Sequence, residues 1–182
     1  MNVQNYVRKK KMIQNNGNMW KNYGLANHKL LITTNSFVKS NGELVMGKGI
    51  AQEAKDKFPD LPRKCGETIL GLNAHLKFYG VIMISDSLGI FQVKYNWSDN
   101  ALLKLIEGST IMLDKLARTN NRLTFNLNFP GIGNGRLNYN QVFPIVKRLP
   151  DNVILWQYSE EKVNMKIVEK EPGETILNDL FL

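Results

Sequence analysis

The chain has 182 residues, 43% of them hydrophobic, which suits one domain with a buried core. A formal charge of +8 favours phosphate-bearing ligands and leaves nucleic-acid contact open. Cys65 is the one cysteine and His28 and His75 are the histidines, so there is no intramolecular disulfide, and neither a metal site nor a cofactor is expected. No apolar run approaches the roughly 20 residues of a membrane span. The start lacks a signal-peptide core, so the expected location is cytoplasmic.

Residues 1–11 read as a polar, basic tail whose densest run, Arg8 to Lys11, ordinarily serves solubility. A first strand is expected between Met12 and Lys21, broken at Asn16-Gly17-Asn18, with a loop from Asn22 to Asn27. His28 to Thr34 reads as an inner strand ending at Asn35, because Leu30, Leu31 and Ile32 in succession need cover on both faces. A turn at Asn41-Gly42 leads into Gly47-Lys48-Gly49 and a helix from Ile50 to Phe58, stopped by the segment Phe58 to Pro62. Cys65 to Leu72 reads as another strand.

Gly80 to Ile84 and Ile90 to Val93, joined by a turn at Asp86 to Gly89, form an expected hairpin. Trp97-Ser98-Asp99 opens the strongest helix, with Ser98 as its cap and Leu102, Ile106, Ser109, Leu113 and Leu116 at helical spacing. The strand from Arg122 to Phe129 sets Leu123, Phe125, Leu127 and Phe129 on one face. Thr124, Asn126 and Asn128 occupy the other, a polar side that suits a wet pocket. After a second glycine loop, Gly131 to Gly135, a helix near Asn138 to Leu149 is shortened or kinked by Pro144. Val153 to Trp156 reads as the final strand. A charged extension, residues 159–182, holds an edge-strand candidate at Met165 to Val168. Strands alternating with helices over residues 12–158 point to a three-layer α/β/α sandwich with a mixed central sheet.

Both glycine loops run from a strand into a helix. Glycines there let backbone N–H groups turn toward one point, where the free amides and dipole of the helix N-terminus make an anion site. One such loop is equally an ordinary connection. Two of them can clasp one extended phosphate ligand, between Gly47, Lys48, Gly49 and Ile50 on one side and Gly131, Ile132, Gly133, Asn134 and Gly135 on the other. Neither loop has the Gly-Lys-Ser/Thr ending of a P-loop, which argues against nucleotide triphosphatase chemistry. Lys48 and Arg136 are ion-pairing candidates that serve a ligand or solvent equally well.

The pair MGKGIAQEAKDKFPD and NFPGIGNGRL, with ITTN ahead of the first, resembles a macrodomain over roughly Met12 to Tyr158. That is the fold that binds ADP-ribose and related NAD metabolites. The first loop is similar to the MGKGIA-type branch, which includes hydrolases that remove ADP-ribose from protein or DNA and many bacterial and phage proteins. The resemblance implies that Asn35 lies beside the distal ribose, bonding its hydroxyls or positioning a catalytic water. Met46, Phe37, Ile132 and Phe129 are candidates to shield the sugar and phosphates and equally to be ordinary core, and Trp156 or Tyr158 is a candidate to pack on adenine or simply to pack at a strand end.

Three positions depart from the family. Counting back from Asn35, His28 stands where many macrodomains carry an aspartate that contacts the adenine amino group. Thr68 to Asn73 follow Gly66-Glu67, where hydrolases of the branch use a lysine. Arg136-Leu137 follow the second loop, where those enzymes can carry an aspartate. A covalent lysine mechanism is therefore disfavoured. The leading expectation is binding of ADP-ribose or a related NAD-derived nucleotide, as a reader or sequestering protein with weak hydrolysis at most. The enzymatic alternatives are an ADP-ribosyl hydrolase acting on an ADP-ribosylated macromolecule, or an ADP-ribose 1″-phosphate phosphatase. Nucleic-acid binding ranks last, since there is neither an RNA-recognition signature nor a sequence-reading helix.

Overall fold

The computed structural model describes residues 12–72 and 77–158; the basic tail, residues 73–76 and the extension with its edge-strand candidate lie outside them. The elements run β1 (Ile13–Asn16), β2 (His28–Thr34), α1 (Gly49–Lys57), α2 (Leu61–Gly71), β3 (Val81–Met83) and β4 (Leu88–Gln92). They continue through α3 (Leu103–Thr119), β5 (Thr124–Asn128), α4 (Tyr139–Val146) and β6 (Val153–Gln157). Short 3-10 turns occupy Met19–Asn22 and Gly133–Gly135.

The sheet order is β1-β6-β5-β2-β4-β3. Every pairing is parallel except β3 with β4, so the sheet is mixed, as expected from the hairpin. Leu30, Leu31 and Ile32 are each 0% exposed in the central strand β2. Alternation sends Leu30 and Ile32 into a core with Ala51 and Ala54 of α1 and Leu61, Cys65 and Ile69 of α2. Leu31 joins the opposite core with Ile106, Leu113 and Ala117 of α3 and Val142 and Val146 of α4. The domain is thus a three-layer α/β/α sandwich with a mixed central sheet.

The segment Cys65 to Leu72 is a helix, not the expected strand. Leu61, Cys65 and Ile69 recur every fourth residue and make the buried stripe of α2. Pro62 lies in its first turn, where a missing N–H costs nothing, so this proline starts a helix instead of stopping one. Gly66 lets α2 close on the preceding turn, since a Cβ there would stand 2.0 Å from the Gly42 carbonyl oxygen. The helix α3 begins at Leu103, with Leu102 as its N-cap, so Ser98 is not the cap. Residues 93–102 are instead held as a loop: Leu102 N–H donates to Val93 O at 2.9 Å and Ala101 N–H to Gly135 O at 2.9 Å. That loop is tied to the second glycine loop. Helix α4 ends at Val146, two residues past Pro144, and is started by a reciprocal cap between Asn138 and Gln141.

The polar face of β5 has two uses. Asn126, fully buried, accepts from Asn22 Nδ2 at 2.8 Å and Trp156 Nε1 at 3.0 Å. Its amide donates to Lys29 O at 3.3 Å and lies 3.1 Å from His28 Nδ1. Asn128 Oδ1 accepts from Thr33 N–H at 2.9 Å, and its amide donates to Thr33 Oγ1 at 2.9 Å. The β2–β5 register covers His28 to Leu31 only, so Asn128 takes up the β2 amide beyond it. The ends of these two strands separate there and open a crevice.

Candidate functional site

Strands β1, β6, β5, β2 and β4 run parallel, so their C-terminal ends share one edge of the sheet. The chain leaves β2 toward β4 on one side and later fills β5 and β6 on the other. Ligand crevices of open α/β sheets form where the order reverses in this way. A cavity of about 1170 Å3 occupies that edge. Gly17 to Met19 after β1 and Trp156 to Tyr158 at the end of β6 wall one end. Asn35 after β2 and Lys94 after β4 stand toward the other.

Both glycine loops reach the cavity between those ends. Gly47, Lys48, Gly49 and Ile50 line it, as do Gly131, Ile132, Gly133, Asn134 and Gly135. Lys48 is the N-cap of α1 in extended conformation and provides no side-chain cap, so the first-turn amides of α1 have no side-chain acceptor. The loops touch: a Cβ on Gly49, whose φ is +56°, would stand 2.9 Å from Asn134 Nδ2. Gly47 and Gly133 have open space where a Cβ would be, with no atom within 4 Å. The uncapped start of α1 and the glycine backbone of both loops line one cavity, an arrangement that suits an anion.

Asn35 is 5% exposed and lines the cavity with both ends of its carboxamide engaged. Oδ1 accepts from Phe37 N–H at 2.8 Å, and Nδ2 donates to Val45 O at 2.8 Å. The side chain therefore fastens the start of the first loop to the end of β2. Behind it, the buried Tyr79 hydroxyl donates to Asn35 O at 3.0 Å and pairs with Thr34 Oγ1. Burial pushes the Tyr79 phenol upward, so it stays neutral. Met46 does not line this cavity. It is 3% exposed and packs in the core beneath α1, supporting the loop from behind.

His28 does not line the cavity either; at the start of β2 it lies beside Asn126. The end of the cavity away from Asn35 is built instead by the segments after β1 and at the end of β6. Gly17 and Asn18, already marked as a break after the first strand, lie there with Trp156 and Tyr158. Asn18 Oδ1 caps the following turn by accepting from Trp20 N–H at 2.9 Å.

The cavity is rich in cations. Lys39, Lys48, Lys94 and Arg136 line it, while Glu53 is its one carboxylate among the described residues, bonded to Trp20 Nε1 at 2.8 Å. Lys39 is paired with Glu43 at 3.0 Å. Lys94 was not singled out in the sequence, where a lone lysine after a strand carries no signal. Its Nζ donates to Trp97 O at 3.1 Å and Asp99 O at 3.0 Å. Burial holds its pKa below the ordinary lysine range; Asp99 opposes this, and the positive charges of Arg136 and Lys48 add to it. No group of three or more His, Cys, Asp or Glu side chains among the described residues is arranged to hold a metal ion.

Several solved structures share this architecture. The macrodomain of Mycobacterium tuberculosis DarG superposes with a TM-score of 0.57 at 21% identity, over 82% of this chain and 99% of that one. The fold is that of a macrodomain. The macrodomain of Thermus aquaticus DarG gives a TM-score of 0.58 at 21% identity, over 82% of this chain and 98% of that chain. Thermosipho africanus DarTG in complex with ADP-ribose gives 0.58 at 18% identity, covering 84% of this chain and 44% of that longer one. No family model matches the chain, and no curated protein does. The macrodomain fold of this chain places both glycine loops on one cavity, and no described helix is long and apolar enough to cross a membrane.

Proposed function

We propose that this macrodomain-fold protein binds ADP-ribose or a closely related NAD-derived nucleotide along the cavity, with the diphosphate between the two glycine loops. The observation that carries this reading is the contact of the loops at Gly49 and Asn134, beside the uncapped start of α1. An ADP-ribose complex of a protein with the same fold, Thermosipho africanus DarTG, supports it. The ligand's base lies toward Trp156 and Tyr158, and its second ribose toward Asn35 and Phe37. The loop amides supply most phosphate contacts, with Lys48 beside them. The segment Met46 to Ala51, which opens α1, supports placing the chain near the MGKGIA-type branch.

Binding is favoured over turnover by the state of the polar groups. Glu53 is held by Trp20, and the Asn35 carboxamide already joins Phe37 and Val45. Among the described residues Glu53 is the one carboxylate lining the cavity, and it is oriented toward Trp20. The test is a calorimetric screen of ADP-ribose, its 1″-phosphate, cyclic ADP-ribose, AMP and a mixed-sequence oligonucleotide at two salt concentrations, with product formation followed in parallel. Saturable ADP-ribose binding with slow or absent turnover is expected. Rapid release of ADP-ribose from a modified protein or DNA, or of phosphate from the 1″-phosphate, would make the protein a hydrolase. Oligonucleotide binding that falls steeply with salt and is not displaced by ADP-ribose would overturn the nucleotide reading.

A further inference from the structure

We propose that Lys94, together with Lys48 and Arg136, forms a cation cluster that binds the diphosphate from the β4 side, making Lys94 a ligand-binding residue of the site. The inference rests on the anion-binding reading above. It starts from three separate segments: Lys48 heads α1, Lys94 follows β4, and Arg136 follows the second glycine loop, yet all three line the same cavity. None of them has a carboxylate ion-pair partner among the described residues.

The Arg136 backbone and the Lys94 ammonium are each held locally. Arg136 has φ +59°, the left-handed region that a residue with a Cβ enters only with strain. Its N–H donates to Gly133 O at 2.9 Å, which locks that conformation to the second loop. Lys94 spends two of its three donors on the Trp97 and Asp99 carbonyls, leaving one for a ligand. Those carbonyls orient the ammonium without neutralising it.

The charged groups that act on Lys94 come from its own loop, the start of α1 and the residue after the second glycine loop. Lys48 and Arg136 repel it, Asp99 attracts it from its own loop, and Lys104 of α3 lies 5.8 Å from the centre of the neighbouring Tyr95 ring. Burial, and after it repulsion by Arg136 and Lys48, lowers the ammonium's pKa in the free protein. A diphosphate beside it adds negative charge and raises that pKa again. Binding then takes up protons, so affinity is full while Lys94 is protonated in both states. It declines as pH rises through the free-protein pKa toward the bound one.

The experiment titrates ADP-ribose and inorganic pyrophosphate into the wild-type chain, Lys94→Met and Lys94→Arg, from neutral to alkaline pH, with thermal melts to show that each variant is folded. Lys94→Met is expected to weaken both probes about tenfold or more, as for loss of a charge-assisted bond, and to flatten the alkaline decline. Lys94→Arg is expected to keep most of the affinity while also flattening the decline, because guanidinium stays protonated. Lys94→Met binding both probes within twofold of wild type, with the same pH profile, overturns the cluster and leaves the nucleotide reading standing. Lys94-dependent pyrophosphate binding without ADP-ribose binding supports the cluster and overturns the nucleotide reading. Wild type that binds neither probe overturns both.

Discussion

Gly49 and Asn134 meet across the cavity, and a Cβ on the glycine would stand 2.9 Å from Asn134 Nδ2. This contact joins loops 85 positions apart in the chain into one wall. A side chain at Gly49 would displace the Asn134 carboxamide, and φ there is +56°. Gly49→Ala is therefore expected to cost about 1–2 kcal/mol of stability from the left-handed backbone alone. It should also turn the Asn134 carboxamide away from the first loop. Urea melts and ADP-ribose titration of the same sample check both effects, and a variant with unchanged stability and affinity would contradict the contact.

Asn35 tests whether the carboxamide works by holding the loop. Asn35→Ala removes the bonds to Phe37 N–H and Val45 O and is expected to cost about 1–3 kcal/mol, since the freed groups lose their partner. Hydrogen exchange should accelerate at the Phe37 amide. Ligand affinity should fall along with it, while any slow turnover falls no further than binding does.

Gly66→Ala tests the packing of α2. The added methyl would meet the Gly42 backbone oxygen at 2.0 Å and Leu44 N at 3.1 Å, atoms that are parts of the main chain and yield poorly. A loss of about 1–3 kcal/mol is expected from overpacking, measured by denaturant unfolding. Affinity should fall less than stability, because Gly42, Leu44 and Gly66 do not line the cavity.

Cys65 reports on the same helix without mutation. It is 0% exposed, and burial pushes its thiol up to about 12. The thiolate is the reactive form, so at mildly alkaline pH a thiol reagent is expected to label the native protein only as fast as it opens. Prompt labelling of folded protein would mean that α2 does not cover the sheet as described.

Much of this fold is legible in the residues because the signals are local. Three successive apolar positions at Leu30 to Ile32 mark an inner strand, and glycines bracketing Lys48 mark a turn into a helix. The strand read at Cys65 to Leu72 failed because Thr68 and Ile69 suggest β structure over so short a window. The helical stripe only appears once Leu61 is included, and Pro62 discouraged that step. Asn126 looked like half of a wet face. Its burial depends on Asn22 and Trp156, which arrive from distant parts of the chain. Lys94 had no local signature at all, since its place on the cavity depends on the loop from 93 to 102 being tied back to Gly135. Met46 sits next to a true wall residue, but its own side chain points into the core.

The most direct test of the diphosphate between the loops is calorimetric titration of ADP-ribose into wild type and Gly47→Val. Gly47 lines the cavity, has no positive φ, and has open space where a side chain would go, so the substitution adds bulk without backbone strain. Gly133→Val is less clean, because φ there is +64°. The expected result is one-site binding by wild type and a loss of about tenfold or more in Gly47→Val at an unchanged melting temperature. Equal affinity in the two folded proteins, or no binding by wild type, would contradict the proposed site.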